Sequence, residues 1–253
     1  MKHFIDSDDP CCPVIGLEDE YAPGFTDEEH SHGRAQLLYA SSGVMSVVVD
    51  SASFVIPPQR ALWIPAGVAH EVGCRGHVSL RTLYFDRSVR DFGEGHCRVI
   101  EVSDFLKALI VEVAHFGAKY DMEAREGRII RLLQEEIAAM PNAPYHVPMP
   151  RDVRLLRVCR AVLDDPSDQR DLDELAKVAG MGRRTFTRLF KQETGMGVAM
   201  WRQQVRLMEA LSLLASGSPV TTVAFDVGYE SPSAFTAMFH RAFGVPPSQY
   251  RVR

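Results

Sequence analysis

The sequence predicts an α+β chain of more than one domain: a β-sandwich or barrel, two connecting helices, and an all-α second half. Three observations predict it. Between Arg34 and Asp86, short apolar or alternating runs recur at close spacing, punctuated by Ser-Gly, Pro-Pro and Pro-Ala-Gly, as in sandwiches and barrels. After residue 103 the apolar spacing changes to three and four, the period of an amphipathic helix. From Leu172 onward one helical pattern occurs twice, 48 to 49 residues apart.

The bulk properties narrow the class. At 253 residues with 46% hydrophobic content, the chain suffices for one large domain or two ordinary ones, and 24% charged residues exclude wholesale disorder. No apolar run approaches the ~18–20 residues that a membrane span needs. The start, Met1-Lys2-His3 followed by Asp6, Asp8 and Asp9, has no apolar core of a signal peptide. Cys11, Cys12, Cys74, Cys97 and Cys159 are too few and scattered for a disulfide framework or a CxxC zinc site, and the vicinal Cys11-Cys12 sits in an acidic segment without period. The expectation is a soluble, reduced, cytoplasmic protein without a membrane partner.

Taken in order, residues 1–25 are acidic and lack a sustained period, and are expected to be a poorly ordered arm. Residues 26–100 carry the runs Leu37-Leu38-Tyr39, Val47-Val48-Val49, Phe54-Val55-Ile56, Leu62-Trp63-Ile64 and Val78 to Phe85, the strands of the barrel. Residues 101–140 hold two helices, at about 103–117 (Phe105, Leu109, Val113, Phe116) and 122–140 (Ile129, Ile130, Leu133, Ile137), which connect the halves and either pack on the barrel or pair between protomers. Residues 141–150 are Pro-rich and read as a linker, so a cut there should free a folded half, 151–253. Charge divides at the same place. Residues 1–150 hold 13 Lys/Arg against 22 Asp/Glu, a net of −9, and residues 151–253 hold 15 against 11, a net of +4. The basic half is the candidate for a polyanionic partner.

Within it, Leu175 to Met181 aligns with Val223 to Tyr229, and Phe186, Phe190 and Gly195 align with Phe235, Phe239 and Gly244. Each copy reads as a short helix, a glycine turn and a second helix, with Gly180 and Gly228 supplying the positive φ of the turn. In the second copy Ser231 can cap the next helix and Pro232 suits its first turn, whereas the first copy has Gly182 at the cap. Two helices joined in this way form a helix-turn-helix. Two copies joined by one long helix, about Val198–Ser216, resemble the AraC/XylS family of transcription regulators. The resemblance runs from Leu172 to Arg251 and includes Arg188 to Gly195, Arg206-Leu207, Val227-Gly228-Tyr229 and Phe243 to Arg251. It implies that one protomer lays both second helices in successive major grooves, about 34 Å apart.

The apolar stripe sets the facing. Phe186, Leu189 and Phe190 turn inward, leaving Arg183, Arg184, Thr187, Arg188 and Lys191 outward or flanking. Phe235, Phe239 and Phe243 turn inward, leaving Ser233, Thr236, Ala237, His240 and Arg241. Arginine can pair bidentately with guanine, and threonine can meet base or phosphate. The resemblance places base reading at Arg184, Thr187 and Arg188, then at Ser233, Thr236 and Ala237. Ala237 departs from the long polar residue often found there, so the second motif is expected to lean on phosphate contacts and DNA shape.

In the β half, His30-Ser31-His32, Gln36 and Gly43 resemble the first cupin motif, and Pro65 to His70 resembles the second, PxGxxH. Strand alternation should put His30 and His32 on one face, with barrel closure bringing His70 to them. This implies a cupin-type β-barrel holding a divalent transition metal (Ni, Zn or Fe) on His30, His32 and His70. Gln36 stands where the motif has Glu and would be a weak fourth ligand or a hydrogen-bond partner. Residues 34–40 and 57–65 further resemble a branch that regulates small-molecule resistance or efflux, of the nitroimidazole-efflux type. The whole reads as a DNA-binding regulator whose barrel senses a small ligand or metal. Its partners would be double-stranded DNA, RNA polymerase and a second copy in a homodimer. The alternative is a metal-dependent cupin enzyme, dioxygenase-like, with a helical accessory domain. No acid–base or nucleophile constellation accompanies the histidines, and an enzyme has no use for two recognition helices.

Overall fold

The computed structural model describes residues 12–49, 52–58, 60–117, 119–141 and 146–250. They divide into two compact units, the first drawn from residues 12–49 and 56–141, the second from 52–55 and 146–250.

The first unit holds strands β1 (Val14–Tyr21), β2 (Thr26–His30), β3 (Ala35–Val49), β5 (Arg60–Ile64), β6 (His70–Phe85) and β7 (Arg98–Glu101), with helices α1 (Asp104–Ala114) and α2 (Arg125–Ala139). Two long antiparallel strands organise it. β6 pairs with β3 along most of its length, and its other edge carries β1 and then β2, while β3 also pairs with β5, which pairs with β7. The runs expected as separate strands at 37–39 and 47–49 are one strand, β3. Its register shifts between Ala40 and Val44, and such bulges bend a strand without ending it. Alternation divides the sheet. Leu37, Tyr39, Trp63, Leu83 and Phe85 lie on the face that receives Leu106, Ile110 and Val113 of α1 and Ile130, Leu133 and Ile137 of α2. Gln36, Thr82 and Tyr84, on the opposite parity, are buried on the other side.

This answers the question left open for the two helices. Their apolar stripes are spent on the sheet of their own chain, and only Phe105 (53% exposed) and Leu132 (37%) remain as exposed large apolar side chains on them.

The expected arm is corrected. Residues 1–11, with Cys11, lie outside the described residues, but β1 pairs with β6 over its full length from Val14↔Phe85 to Tyr21↔Val78. Its acids hide the strand pattern because they find partners: Glu18 Oε1 lies 2.9 Å from Arg81 Nε, and Glu20 Oε1 accepts from Ser79 Oγ at 2.6 Å. The break in the apolar run, Gly16, is a packing device. A Cβ there would stand 2.4 Å from the Cα of Ala114, so α1 rests directly on the backbone of β1.

The second unit holds β4 (Ala52–Ile56, its last residue assigned to the first unit), β8 (His146–Pro148) and six helices: α3 (Val153–Asp164), α4 (Leu172–Val178), α5 (Arg183–Thr194), α6 (Val198–Ala215), α7 (Val220–Asp226) and α8 (Pro232–Phe243). A 3-10 turn at Pro247–Gln249 follows. The linker reading is corrected for its second half; residues 142–145 lie outside the described residues. His146–Pro148 pairs with β4 through Ala52↔Pro148, Ser53↔Val147 and Phe54↔His146. It is also bound to α6, where the buried Trp201 donates Nε1–H to the Pro148 carbonyl (2.7 Å) and Gln204 donates to the His146 carbonyl (2.7 Å). Prolines of this kind are tolerated in a short edge strand and need not mark a spacer.

The domain boundary therefore has a measurable position. A fragment 151–253 strands the Trp201 indole N–H, and a buried donor without its acceptor costs about 1–3 kcal/mol. In urea unfolding, fragment 146–253 should exceed 151–253 by that amount. Equal stabilities would return the boundary to residue 151.

Candidate functional site

The second unit presents both helix-turn-helix motifs. Asp171 caps α4, accepting from the backbone N–H of Asp173 and Glu174 while Glu174 accepts from the Asp171 N–H, a reciprocal box that fixes where the helix begins. Gly180 (φ +64°) and Gly228 (φ +77°) make the two turns. Ser231 caps α8 by accepting from Ala234 N–H with Pro232 in the first turn, and α5 starts from Gly182 with no side-chain cap. Phe186, Phe190, Phe235 and Phe239 are buried, Phe243 half-buried.

Of the residues expected to face outward, Arg183, Arg184, Arg188, Lys191, Ser233, Ala237, His240 and Arg241 are exposed, and Thr187 and Thr236 are half-buried. Two are engaged locally. Arg183 Nη1 donates to Asp173 Oδ2 across the two helices of the first motif (2.9 Å), an exposed pair of small worth, and the Thr187 hydroxyl donates to the Arg183 carbonyl (3.0 Å). Ser233, Thr236, Ala237 and His240 line one open groove with Pro232 and Pro246.

The residues that hold the two motifs in place were not singled out from the sequence. Asp168, buried in the middle of the α3–α4 loop, accepts from Arg170 Nε (2.8 Å) and from its backbone N–H (2.7 Å). Burial alone would raise its carboxyl; the hydrogen bonds from Arg170 and the charges of Arg170 and Arg202 outweigh this and hold it below the usual range. The backbone of this loop is gripped from α6. Arg202 donates to the Arg170 carbonyl (2.6 Å) and to that of Asp168, and Arg206 donates to Pro166 O (3.1 Å) and Asp168 O (3.1 Å) while lying over the Tyr229 ring. From the same loop Gln169 donates to the Gly228 carbonyl (2.9 Å), in the turn of the second motif, where a Cβ on Gly228 would collide with Gln169 and Ser167. Arg206 and Tyr229 stood inside quoted motifs; the acid that completes the arrangement, seven residues before Leu175, carried no separate signal.

In the first unit three imidazoles converge. One ligating nitrogen from each of His30, His32 and His70 lies within 4.8 Å of the others. The route differs from the alternation expected. β2 ends at His30, which sits opposite His70 in the β2–β6 ladder, and His32 is in the following loop. That loop is held to the PxGxxH turn by Gly67 N–H, which donates to His32 O (2.8 Å). His30 Nδ1 lies 2.6 Å from Glu28 O and His70 Nδ1 2.9 Å from Val68 O. A carbonyl can only accept, so each Nδ1 carries a proton, the usual outer-shell arrangement of histidines that bind metal through Nε2. Gln36, 1% exposed, donates its amide to Tyr84 Oη (3.3 Å), and the Tyr84 ring lies edge-on to His32. Tyr84 is kept as a phenol, raised by burial and then by the Asp27 and Asp19 carboxylates. Burial, with Asp27, pushes the Cys74 thiol up to about 11, so it offers no thiolate at neutral pH. A donor set of three imidazoles fits a divalent transition metal.

Paired helix-turn-helix motifs in a basic helical unit, in one chain with a strand-rich unit that holds a histidine cluster, define a two-part DNA-binding regulator. A helix-turn-helix domain model matches residues 175–253 and a cupin domain model matches 17–85. The HTH-type transcriptional regulator NimR of Escherichia coli K12 is 30% identical over 228 residues, covering 90% of this chain and 83% of the relative. The HTH-type transcriptional regulator RipA of Corynebacterium glutamicum is 29% identical over 219 residues, 85% of this chain and 61% of that longer protein. The solved DNA-binding domain of AdpA, in complex with a target DNA, is 36% identical over 37% of this chain and 85% of its own, with a TM-score of 0.35. The chain belongs to the AraC-type family of helix-turn-helix transcriptional regulators that carry a cupin domain. It is a DNA-binding transcription regulator and not an enzyme, which sets aside the dioxygenase alternative. No described helix is long and apolar enough to cross a membrane.

Asp168→Asn should lower the stability of the second unit by about 1–3 kcal/mol, the range for hydrogen bonds to a charged group. Because folding depresses this carboxyl, its contribution is complete above the ordinary carboxylate pKa and is lost as pH falls through the lower folded value. The difference between wild type and variant should therefore shrink below about pH 4 in acid unfolding. A constant difference would assign the loss to packing.

Proposed function

We propose that this regulator couples divalent-metal occupancy of its cupin unit to operator binding by its helical unit. The observation that carries the first half is the convergence of His30, His32 and His70 with two of the rings oriented through Nδ1 by backbone carbonyls. A bound Ni²⁺, Zn²⁺ or Fe²⁺ would supply positive charge and a fixed coordination geometry to the barrel interior, and Gln36 would adjust the site through Tyr84. A second effector class, a small organic molecule in the same interior, is favoured by its mixed lining of Gln36, Thr82 and Tyr84.

On the helical unit, Arg184, Thr187 and Arg188 of α5 and Ser233, Thr236 and Ala237 of α8 read base edges. Arg183, Lys191, His240 and Arg241 meet phosphate. The short side chains on α8 give the second motif a smaller share of direct reading. RNA polymerase is the machine whose access this binding controls, and Phe105 and Leu132 are the apolar side chains offered to a second copy.

Arg184→Ala or Arg188→Ala should weaken operator binding by about 1–3 kcal/mol and flatten the preference at one base pair. Uniform weakening over all sequences makes that residue a phosphate contact. Lys191→Ala should lower the salt slope by about one.

The metal reading is tested by elemental analysis of protein purified without chelator and by the thermal midpoint on adding Ni²⁺, Zn²⁺ or Fe²⁺. His32→Ala should abolish both uptake and the rise in midpoint, and chelation should change operator occupancy in a footprint of the wild type alone. A wild type that takes up no metal leaves the organic effector as the reading.

A further inference from the structure

The two helix-turn-helix motifs turn on glycines of nearly the same conformation, Gly180 at φ +64° and Gly228 at φ +77°. Their surroundings differ. A Cβ on Gly180 would meet nothing within 4 Å among the described residues. A Cβ on Gly228 would stand 2.9 Å from the carbonyl oxygen of Ser167, 3.0 Å from the Ser167 Cα and 2.9 Å from Gln169 Nε2. The backbone of the α3–α4 loop therefore lies directly against the second turn. Gln169 closes the contact by donating to the Gly228 carbonyl (2.9 Å). Gly228 is thus needed twice, for its positive φ and for the close approach of another stretch of backbone.

That contact supplies what the covalent connection lacks. The second motif follows α6 through the turn at residues 216–219, where Gly217 (φ +87°) has open space at its Cβ position among the described residues. A helix joined through such a turn fixes where α7 and α8 begin and leaves their rotation to packing. The α3–α4 loop is itself fixed, because Arg202 and Arg206 of α6 donate to its carbonyls at Pro166, Asp168 and Arg170. The second motif is then held at two separate places, the α6–α7 turn and the Gly228 turn. On DNA the difference is large. One base pair inserted between two subsites moves the farther one by about 3.4 Å and rotates it by about 34° around the duplex.

We propose that the α3–α4 loop is a spacing brace: Gly228 and Gln169, which lie outside both recognition helices, restrict the chain to operators with one fixed separation between the two subsites. The inference rests on the reading of α5 and α8 as base-contacting helices and adds to it what sets the distance between them.

The test uses the full chain and a library of random-sequence duplexes. Wild type should select a motif of two parts with one gap length. Inserting one base pair in that gap should weaken binding at least about tenfold, the cost of about one lost base pair. In Gly228→Ala the penalty should fall to about threefold or less, below the cost of one lost base pair. Gly180→Ala introduces the same positive-φ strain without the collision and should keep the penalty in full. Each protein is compared with itself on two duplexes, so a smaller folded fraction cancels from the ratio. Should Gly228→Ala fail to fold, Gln169→Ala decides. It removes one hydrogen bond from an exposed side chain, and its penalty should be at least about threefold smaller than that of wild type. An undiminished penalty in the deciding variant, or an equal loosening in Gly180→Ala, overturns the brace and leaves both recognition helices in place. A wild type that binds both gap lengths equally overturns it as well. A wild type that selects a single undivided motif overturns the reading of α8 and this inference together.

Discussion

The helical unit depends on one interaction, the grip of two α6 arginines on the carbonyls of the α3–α4 loop. Reading DNA with two helices demands that both be presented at a set distance and angle, and side chains on the helices themselves cannot enforce that. The long α6 sets the spacing along its axis. Arg202 and Arg206 then tie it to residues 166–170, and Gln169 passes the constraint to the turn of the second motif. Several donors bound to fixed backbone acceptors suit guanidinium, whose planar fork loses little freedom on binding. Burial and its neighbour Arg206 lower the pKa of Arg202, and the buried carboxylate of Asp168 partly offsets them. The basic residues of this unit therefore have two separate employments: those on α5 and α8 are spread over the surface, and those on α6 are turned into the frame.

In the cupin unit the comparable constraint is the β3–β6 ladder. Both strands are long enough to build two faces at once, one apolar and covered by α1 and α2, the other carrying Gln36, Thr82 and Tyr84. Because side chains alternate with a period of two, a single slip would exchange the faces and drive Gln36 and Tyr84 into the helix-covered core. The apolar face therefore keeps the polar one in register. Irregularities occur between Ala40 and Val44 in the β3–β6 ladder and between Asp27 and His30 in the β2–β6 ladder, and between them the alternation holds.

What could be read from the sequence follows the same division between periodic and local information. The repeat, its glycine turns and the exposure of Arg184 and Arg188 were legible because helical period and turn chemistry are local. The histidines were legible as residues, but the route by which they meet was not. β2 stops at His30, and convergence is made by the Gly67–His32 hydrogen bond across a loop. β1 was missed because its acids are satisfied by Arg81 and Ser79, partners some sixty residues away, and a charged strand with distant partners has the composition of an arm. Asp168 became visible only when the carbonyls around it were seen to be occupied.

The β4–β8 pair shows sequence order and packing parting company. By compactness Ala52–Val55 counts with the helical unit, although in sequence it lies between strands β3 and β5 of the cupin unit. Ala52 to Phe54 pair with His146–Pro148, and the Pro148 and His146 carbonyls accept from Trp201 and Gln204 of the helix that joins the two motifs. A segment drawn from the middle of the cupin sequence is thereby packed into the helical unit, which a reading by contiguous segments assigns to the wrong half.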